Sequence, residues 1–201
     1  MGRWKSFGKS LIMNFPPLIL ASKSPRRQEL LALLGLDFRV VLKEVDESYP
    51  VNLSPEEVAV YIAEKKAKAF DEDTMGEVVI TADTLVVIDG QILGKPDDAA
   101  HAFEILSQLS GRKHEVITGV CLLKDHQLYS FYEKSEVHFK PLTPEQIQHY
   151  IATGQPMDKA GAYGIQEWIG LVGIEKIVGS YTNVVGLPTH RLYEELVRLH
   201  R

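Results

Sequence analysis

Residues 22–27 read Ser-Lys-Ser-Pro-Arg-Arg and lie between an apolar run and an amphipathic run. This order predicts a strand, a sharp turn and a helix whose N-cap is Ser24. Arg26 and Arg27 then fall in the first helical turn, where the helix dipole makes further positive charge unfavourable unless an anion is bound. Backbone N–H groups, hydroxyls and guanidiniums in one place indicate a phosphate site. The alternative is a surface helix whose arginines are solvated or paired with acids such as Glu29.

Two other helix starts differ from this one. Ser54 is followed three residues later by Glu57, and Thr143 is followed three residues later by Gln146. Both patterns predict ordinary capping boxes. Only the first helix has arginines where the other two have Glu or Gln, which favours an anion site there.

Asp83 follows the apolar run 78–82 and precedes Thr84. A carboxylate at the carboxyl end of a buried strand faces the crevice in which α/β sheets bind ligands. The alternative is an Asx-type turn or cap at the end of the strand.

Lys95 lies in a predicted turn before a helix that opens with two aspartates. Because those acids already satisfy the dipole of their own helix, the lysine is free to reach a phosphate elsewhere. A solvated loop lysine is the alternative. The segment is not a P-loop, since Gly-x-x-x-x-Gly-Lys-Ser/Thr occurs nowhere in the chain.

Residues 158–166 read Asp-Lys-Ala-Gly-Ala-Tyr-Gly-Ile-Gln. Small residues let the backbone approach a ligand closely, and the amide of Gln166 suits the edge of a base. A tight structural turn is the alternative. Lys66 on the second predicted helix and the acids around Glu44 add charge, and carboxylates would suit Mg²⁺ or Mn²⁺ bound partly through phosphates.

Composition narrows the function classes. The 201 residues are 45% hydrophobic and 24% charged, with a formal net charge of -5, so a basic face for duplex nucleic acid is not supported. The single cysteine, Cys121, lies in an apolar run and indicates a buried thiol in a reducing cytosol. No apolar stretch approaches the length that spans a membrane. Residues 1–12 are expected to be a mobile N-terminal extension, and residues 13–201 a single domain.

The order of elements predicts an α/β protein with a mixed sheet, because strands and helices alternate early and antiparallel strands dominate the middle. Long strands are expected near 114–124 and 127–140. Short strands are expected near 169–177 and 181–185, before a final helix.

Taken together, these motifs resemble the Maf family of nucleoside triphosphate pyrophosphatases over about residues 18–196. The resemblance is carried by the following segments: 22–27, Ala82-Asp83-Thr84, Gly94-Lys95-Pro96, Leu109-Ser110-Gly111-Arg112, 158–166 and Val185-Gly186-Leu187-Pro188. It implies an α/β fold with a mixed, strongly twisted sheet flanked by helices around a deep cleft, as in Maf and inosine-triphosphatase-like proteins. It also implies hydrolysis of a nucleoside triphosphate to the monophosphate and pyrophosphate, with a divalent cation.

Within the family the chain is most similar to the dTTP/UTP pyrophosphatase branch, where the acid matching Asp83 is the proton acceptor. Positions matching Arg26, Thr84 and Gln166 are tied to base choice in that branch. The expected metal ligands are Glu44 and Asp83, and Asp83 or a metal-bound water would supply the nucleophile. The expected substrate-binding residues are Ser22, Ser24, Arg26, Arg27, Lys66, Thr84, Lys95, Lys159 and Gln166.

Two other functions stay open at this stage. One is a pyrophosphatase for modified or deaminated purine triphosphates. The other is a nucleotide-binding regulator of cell division, although a protein that only binds has no need of Asp83. The expected partner is the nucleotide in a cytoplasmic protein, with no duplex nucleic acid and no membrane, and the sequence leaves a homodimer open.

Overall fold

The computed structural model describes residues 15–70, 74 and 76–200. These residues form seven strands, seven α-helices and two short 3-10 turns at Gln155–Asp158 and Ala160–Ala162. The strands are β1 Leu18–Leu20, β2 Phe38–Val40, β3 Val78–Ile88, β4 Gln91–Leu93, β5 Lys113–Lys124, β6 Gln127–Phe139 and β7 Ile174–Val178. The helices are α1 Pro25–Leu33, α2 Pro55–Lys68, α3 Ala99–Leu109, α4 Pro144–Ala152, α5 Trp168–Gly173, α6 Tyr181–Val185 and α7 Thr189–His200. The predicted extension over residues 1–12 lies outside the described residues.

All seven strands belong to one mixed sheet. Its order is β2-β1-β3-β5-β6-β7, and β4 pairs with β3 beside this path. β1 runs parallel to β2 and β3, whereas β3, β5, β6 and β7 pair antiparallel. The prediction of an α/β fold with a mixed sheet flanked by helices is confirmed.

Asp83 lies in the middle of a strand. The sequence predicted a strand that ends at this residue, but β3 is continuous for 11 residues because its antiparallel partner β5 continues beside it from Val79 to Val87. β1 covers only Val78–Ile80 of β3. Asp83 therefore lies just beyond the carboxyl end of a short parallel strand, which opens the crevice that the prediction had assigned to the end of β3.

The two faces of the sheet are buried by different helices. Leu18, Leu20 and Ile80 belong to a core with α1, α3, α4 and α7, whereas Ile19 and Val79 pack with α2. This follows from the alternation of side chains along a strand. Helix α2 covers this second face of the sheet. Its position therefore sets where the polar side chains of α2 meet the sheet.

Of the two short strands predicted near the C-terminus, one is confirmed only in its second half and the other is wrong. The segment predicted as a strand near 169–177 begins as helix α5 and becomes β7 only at Ile174, and the segment 181–185 is helix α6. Ser180 caps α6 by accepting a hydrogen bond from the Asn183 N–H at 3.3 Å. A short apolar run alone does not distinguish a strand from a buried helical turn. Here the N-cap Ser180 favours the helix.

The predicted helix starts are confirmed. Ser24 caps α1, and both capping boxes are present, with Glu57 and Gln146 bonding back to the N-cap backbone. Within the described part of the chain, no helix is long and apolar enough to cross a membrane.

Candidate active site

A cleft of about 1080 Å³ opens beside β3, where the short strand β1 ends. Its walls come from α1, the segment 42–49, α2, β3, the loop after β4 and residues 158–165. The predicted site residues on its lining are Ser22, Ser24, Arg26, Arg27, Glu44, Lys66, Asp83, Thr84, Lys95 and Lys159. Gln166 is the predicted site residue that does not line it.

The first turn of α1 forms one end of the cleft. No acidic residue lies in this turn, and the hydroxyl of Ser24 accepts the Arg27 N–H at 3.5 Å. The hydroxyl of Ser22 in turn accepts the Ser24 N–H at 3.2 Å. Arg26 keeps 28% of its side chain exposed and approaches Asp158 only at 3.9 Å. This end of the cleft therefore offers the Arg26 guanidinium and the positive end of the α1 dipole to an anion.

Arg27 has a different role from Arg26 in this structure. Its Nε donates to the Gly186 carbonyl at 2.8 Å, Nη1 to the Ala82 carbonyl at 2.9 Å and Nη2 to Thr84 Oγ1 at 2.9 Å. Burial lowers the pKa of the guanidinium, an effect that the negative charge of Asp83 opposes. Arg27 thus ties α1 to β3 and to the loop before α7, and sets the shape of the cleft.

Asp83 faces α2 and meets a second acid there through a lysine. The ammonium of Lys66 donates to Asp83 Oδ1 at 2.8 Å and lies 2.9 Å from Glu47 Oε1. Burial would raise the pKa of Glu47, but the hydrogen bond and charge of Lys66, with the charges of Lys95 and Arg27, hold it below its ordinary value. Two carboxylates therefore converge on one point of positive charge in the cleft.

This convergence bears on where a divalent cation would bind. Glu44 and Glu47 are both exposed and both line the cleft, and Glu47 shares Lys66 with Asp83. Among the described residues there is no group of three or more His, Cys, Asp or Glu side chains that could hold a metal by itself. Two carboxylates fit Mg²⁺ or Mn²⁺, which take their remaining oxygen ligands from phosphates and water.

The two loop lysines differ in availability. Lys95 is exposed at the rim of the cleft, and its charge reaches Glu47. Lys159 is only 7% exposed, and its ammonium lies 2.6 Å from Asp158 Oδ1 and 3.0 Å from Glu167 Oε1. Lys95 is thus available to a ligand, whereas the charge of Lys159 is already neutralised by two acids.

Residues 160–165 build a further wall of the cleft. Ala160, Tyr163, Gly164 and Ile165 line the cleft, and none of them carries a charge. Tyr163 is anchored from behind, because its hydroxyl lies 2.7 Å from Nε2 of the buried His114. This wall suits an uncharged ring with polar edges, such as a nucleobase.

Gln166 follows this wall but is exposed. It lines a separate depression of about 480 Å³ with residues of α5 and β7. The structure therefore brings ten of the eleven predicted site residues to one cleft and leaves Gln166 at its outer side.

Sequence reasoning missed Glu47 and Glu167. The acids at 44, 46 and 47 form a run in which nothing local distinguishes the one that meets Lys66. Glu167 directly follows the segment 158–166, and a pairing with the lysine eight residues earlier has no sequence pattern that would reveal it. Both contacts depend on how distant segments fold back.

Comparisons with known proteins agree with this architecture. A family model described as "Maf-like protein" matches residues 17–199. The dTTP/UTP pyrophosphatase of Bacteroides thetaiotaomicron is 50% identical over 184 residues, which cover 90% of this chain and 95% of that protein. The dTTP/UTP pyrophosphatase of Phocaeicola vulgatus is 51% identical over 185 residues, with the same coverage.

Among solved structures, the Ham1 protein of Staphylococcus aureus is similar in fold. It aligns with a TM-score of 0.50 at 14% identity, over 92% of this chain and all of that one. The site and fold define an α/β protein with a cleft that carries cationic side chains at one end. On the family match and the identity to its relatives, the chain belongs to the Maf-like family.

Proposed function

We propose that this protein hydrolyses dTTP and UTP to the monophosphate and pyrophosphate. The observation that carries the proposal is the position of Asp83, which lies with Lys66 in the same cleft as the cationic first turn of α1. The names of the relatives from B. thetaiotaomicron and P. vulgatus support the pyrimidine substrates.

The triphosphate would bind at the charged end of the cleft. Arg26, Lys95 and the N-terminus of α1 would hold the phosphate chain, with the hydroxyls of Ser22 and Ser24 as further donors. Lys66 would stabilise the negative charge that develops during transfer. Thr84 would also contribute to nucleotide binding, with its hydroxyl oriented by the hydrogen bond from Arg27.

Asp83 is the proposed base. Oδ1 of Asp83 accepts a hydrogen bond from Lys66. Oδ2 of Asp83 is therefore the atom that would accept a proton from the water that attacks the α-phosphorus. The bond between the α-phosphorus and the bridging oxygen breaks, and that oxygen leaves with pyrophosphate. Positioning and electrostatics supply most of the rate, as in other phosphoryl transfers.

A divalent cation would be held by Asp83 and Glu47, with Glu44 as the alternative second acid. When bound, it would neutralise phosphate charge and polarise the phosphoryl oxygens. Lys66 occupies the same point between the two acids, so it would move toward the phosphates when the cation binds.

The uncharged wall at 160–165 would take the base, with the side chain of Gln166 behind it. The names of the relatives favour pyrimidine over purine nucleotides as substrates. The alternatives are hydrolysis of modified purine triphosphates and a purely regulatory role in which the protein only binds nucleotide. The single buried Cys121 and the nucleotide substrate support a cytoplasmic location, and a homodimer stays open.

A nucleotide panel tests the proposal. Wild-type protein and Asp83→Asn are assayed for pyrophosphate release from dTTP, UTP, CTP and deaminated purine triphosphates with Mg²⁺ or Mn²⁺. Wild type should favour dTTP and UTP, and Asp83→Asn should lose at least about a hundredfold in rate while still binding nucleotide. Equal turnover by the two proteins would contradict the proposal.

A further inference from the structure

The Glu167 side chain lies at the start of α5 but does not bond to the backbone of that helix. Glu167 is the N-cap residue of α5, and no side-chain capping bond forms there. Instead Oε1 lies 3.0 Å from the Lys159 ammonium and Oε2 accepts a hydrogen bond from the Tyr150 hydroxyl. One oxygen is thus committed to Lys159, in the segment before α5, and the other to Tyr150 of α4.

These two contacts reach the wall of the cleft. The Tyr150 hydroxyl also accepts the Gly164 N–H at 3.1 Å, so Tyr150 connects Glu167 to the backbone of the wall. Glu167 further donates its own N–H to the Gly164 carbonyl at 3.0 Å. Gly164 is therefore held from both sides by the same residue, directly and through a tyrosine.

Gly164 packs directly against the carboxylate. A Cβ on Gly164 would lie 2.6 Å from Glu167 Cδ and within 2.9 Å of both carboxylate oxygens. The Glu167 side chain is only 18% exposed. The acid fills the space behind the wall, and the wall can take its observed path only because residue 164 has no side chain.

The same acid balances the buried cation beside the wall. Lys159 is buried with Glu167 on one side and Asp158 on the other. Asp158 in turn faces Arg26 at 3.9 Å. Because Lys159 already lies 2.6 Å from Asp158, it keeps an acidic partner when residue 167 loses its charge, and the phosphate-binding end keeps its charges.

We propose that Glu167 is a positioning residue that fixes the wall at 163–165 for a nucleoside base without touching the nucleotide. The inference rests on the proposed function, because it takes the charged end of the cleft for the phosphates and this uncharged wall for the base. It assigns to Glu167 and Tyr150 an effect on base binding that is separate from phosphate binding.

The test separates base binding from phosphate binding. Calorimetry measures the Kd of the nonhydrolysable α,β-methylene analogue of dTTP and the Kd of pyrophosphate, for wild type, Glu167→Gln and Tyr150→Phe. We expect each substitution to weaken analogue binding about tenfold or more, since it removes a buried hydrogen bond to a charged group. Pyrophosphate binding should stay within about twofold of wild type.

A double variant and a matched control complete the experiment. Glu167 and Tyr150 act on the same backbone, so their effects should not add. The Kd of the double variant for the analogue should be no higher than that of the single variant with the higher Kd. The control is Glu77→Gln, which also breaks an ion pair of a poorly exposed acid, with Arg39 at 2.7 Å, but lies away from the cleft. It should leave both Kd values unchanged.

Each outcome decides between the two proposals. If both Kd values rise together, or if neither changes in a folded variant, the positioning role is wrong. Should Glu167→Gln not fold, Tyr150→Phe carries the same test, since it removes one hydroxyl. Wild type that binds the analogue but hydrolyses no nucleotide contradicts the proposed function alone, and wild type that binds no nucleotide contradicts both.

Discussion

Arg26 and Arg27 are neighbours in sequence whose surroundings divide their roles. Arg27 donates from all three of its nitrogens to acceptors on β3 and in the loop before α7, whereas Arg26 is partly exposed in the cleft. The sequence predicted an anion site from the pair but could not assign these separate tasks, because the acceptors of Arg27 lie far along the chain.

Replacing the two arginines should therefore give different results. Arg27→Gln should lower the free energy of unfolding by about 2 to 4 kcal/mol, since it leaves buried acceptors unpaired. Arg26→Gln should lower it by less than about 1 kcal/mol, the usual range for an exposed ion pair, and instead weaken nucleotide binding. Urea unfolding and nucleotide titration measure both; equal stability losses would refute this division.

Glu44 and Glu47 of the segment 42–49 offer a second comparison at this scale. Both are exposed, but Glu47 shares Lys66 with Asp83. We expect Glu47→Gln to raise the concentration of Mg²⁺ needed for half-maximal activity at least about tenfold, because it removes a charged oxygen ligand. Glu44→Gln should change it by less than about threefold. The reverse ranking would restore Glu44 as the metal ligand that the sequence suggested.

At the scale of elements, the approach of α2 to the sheet places Lys66 beside Asp83. A Cβ on Gly119 of β5 would lie 2.3 Å from the backbone carbon and oxygen of Ala59. This helix can lie so close to the sheet only because residue 119 has no side chain. The contact between Lys66 and Asp83 therefore depends on a glycine of another element.

Gly119→Ala should push α2 away from the sheet. We expect a loss of about 1 to 3 kcal/mol in the free energy of unfolding, as in other overpacked cores, together with lower activity. Gly94→Ala is the matched control for stability, because a Cβ there would meet nothing within 4 Å. Denaturant unfolding of the two variants measures the difference, and a stable Gly119→Ala with full activity would contradict it.

The elements also show how far local patterns carry. The caps of α1, α2 and α4 and the long hairpin of β5 and β6 could be predicted, because each depends on neighbouring residues. The boundary between α5 and β7 could not, since short apolar runs fit either state. The continuity of β3 through Asp83 depends on its partner β5, which follows more than twenty residues later.

At the scale of the whole molecule, a buried histidine couples stability to pH. Burial lowers the pKa of His114 from 6.5 to about 4, with a smaller effect from His138. Its ring lies behind the cleft wall, with Tyr163 as hydrogen-bond partner and Phe139 stacked at 5.6 Å. The unfolded chain therefore binds a proton between about pH 6.5 and 4 that the folded chain does not.

This lowered pKa fixes the sign of the effect. The full stability is present above about pH 6.5 and falls as the pH drops toward 4, by up to about 3 kcal/mol from this group. His114→Phe removes the proton uptake, so its stability should fall less than that of wild type over the same range. Urea unfolding at pH 7 and pH 4.5 measures the loss of unfolding free energy for each protein. Equal losses for wild type and His114→Phe would show that His114 is not the group involved.

The central claim is that this cleft directs water to the α-phosphorus of a nucleoside triphosphate. The most direct test is a single turnover of dTTP in water enriched in oxygen-18. The products are then separated and their masses are measured by mass spectrometry. The account predicts one heavy oxygen in the monophosphate and none in the pyrophosphate. Heavy oxygen in the pyrophosphate, or release of orthophosphate with the diphosphate, would contradict it.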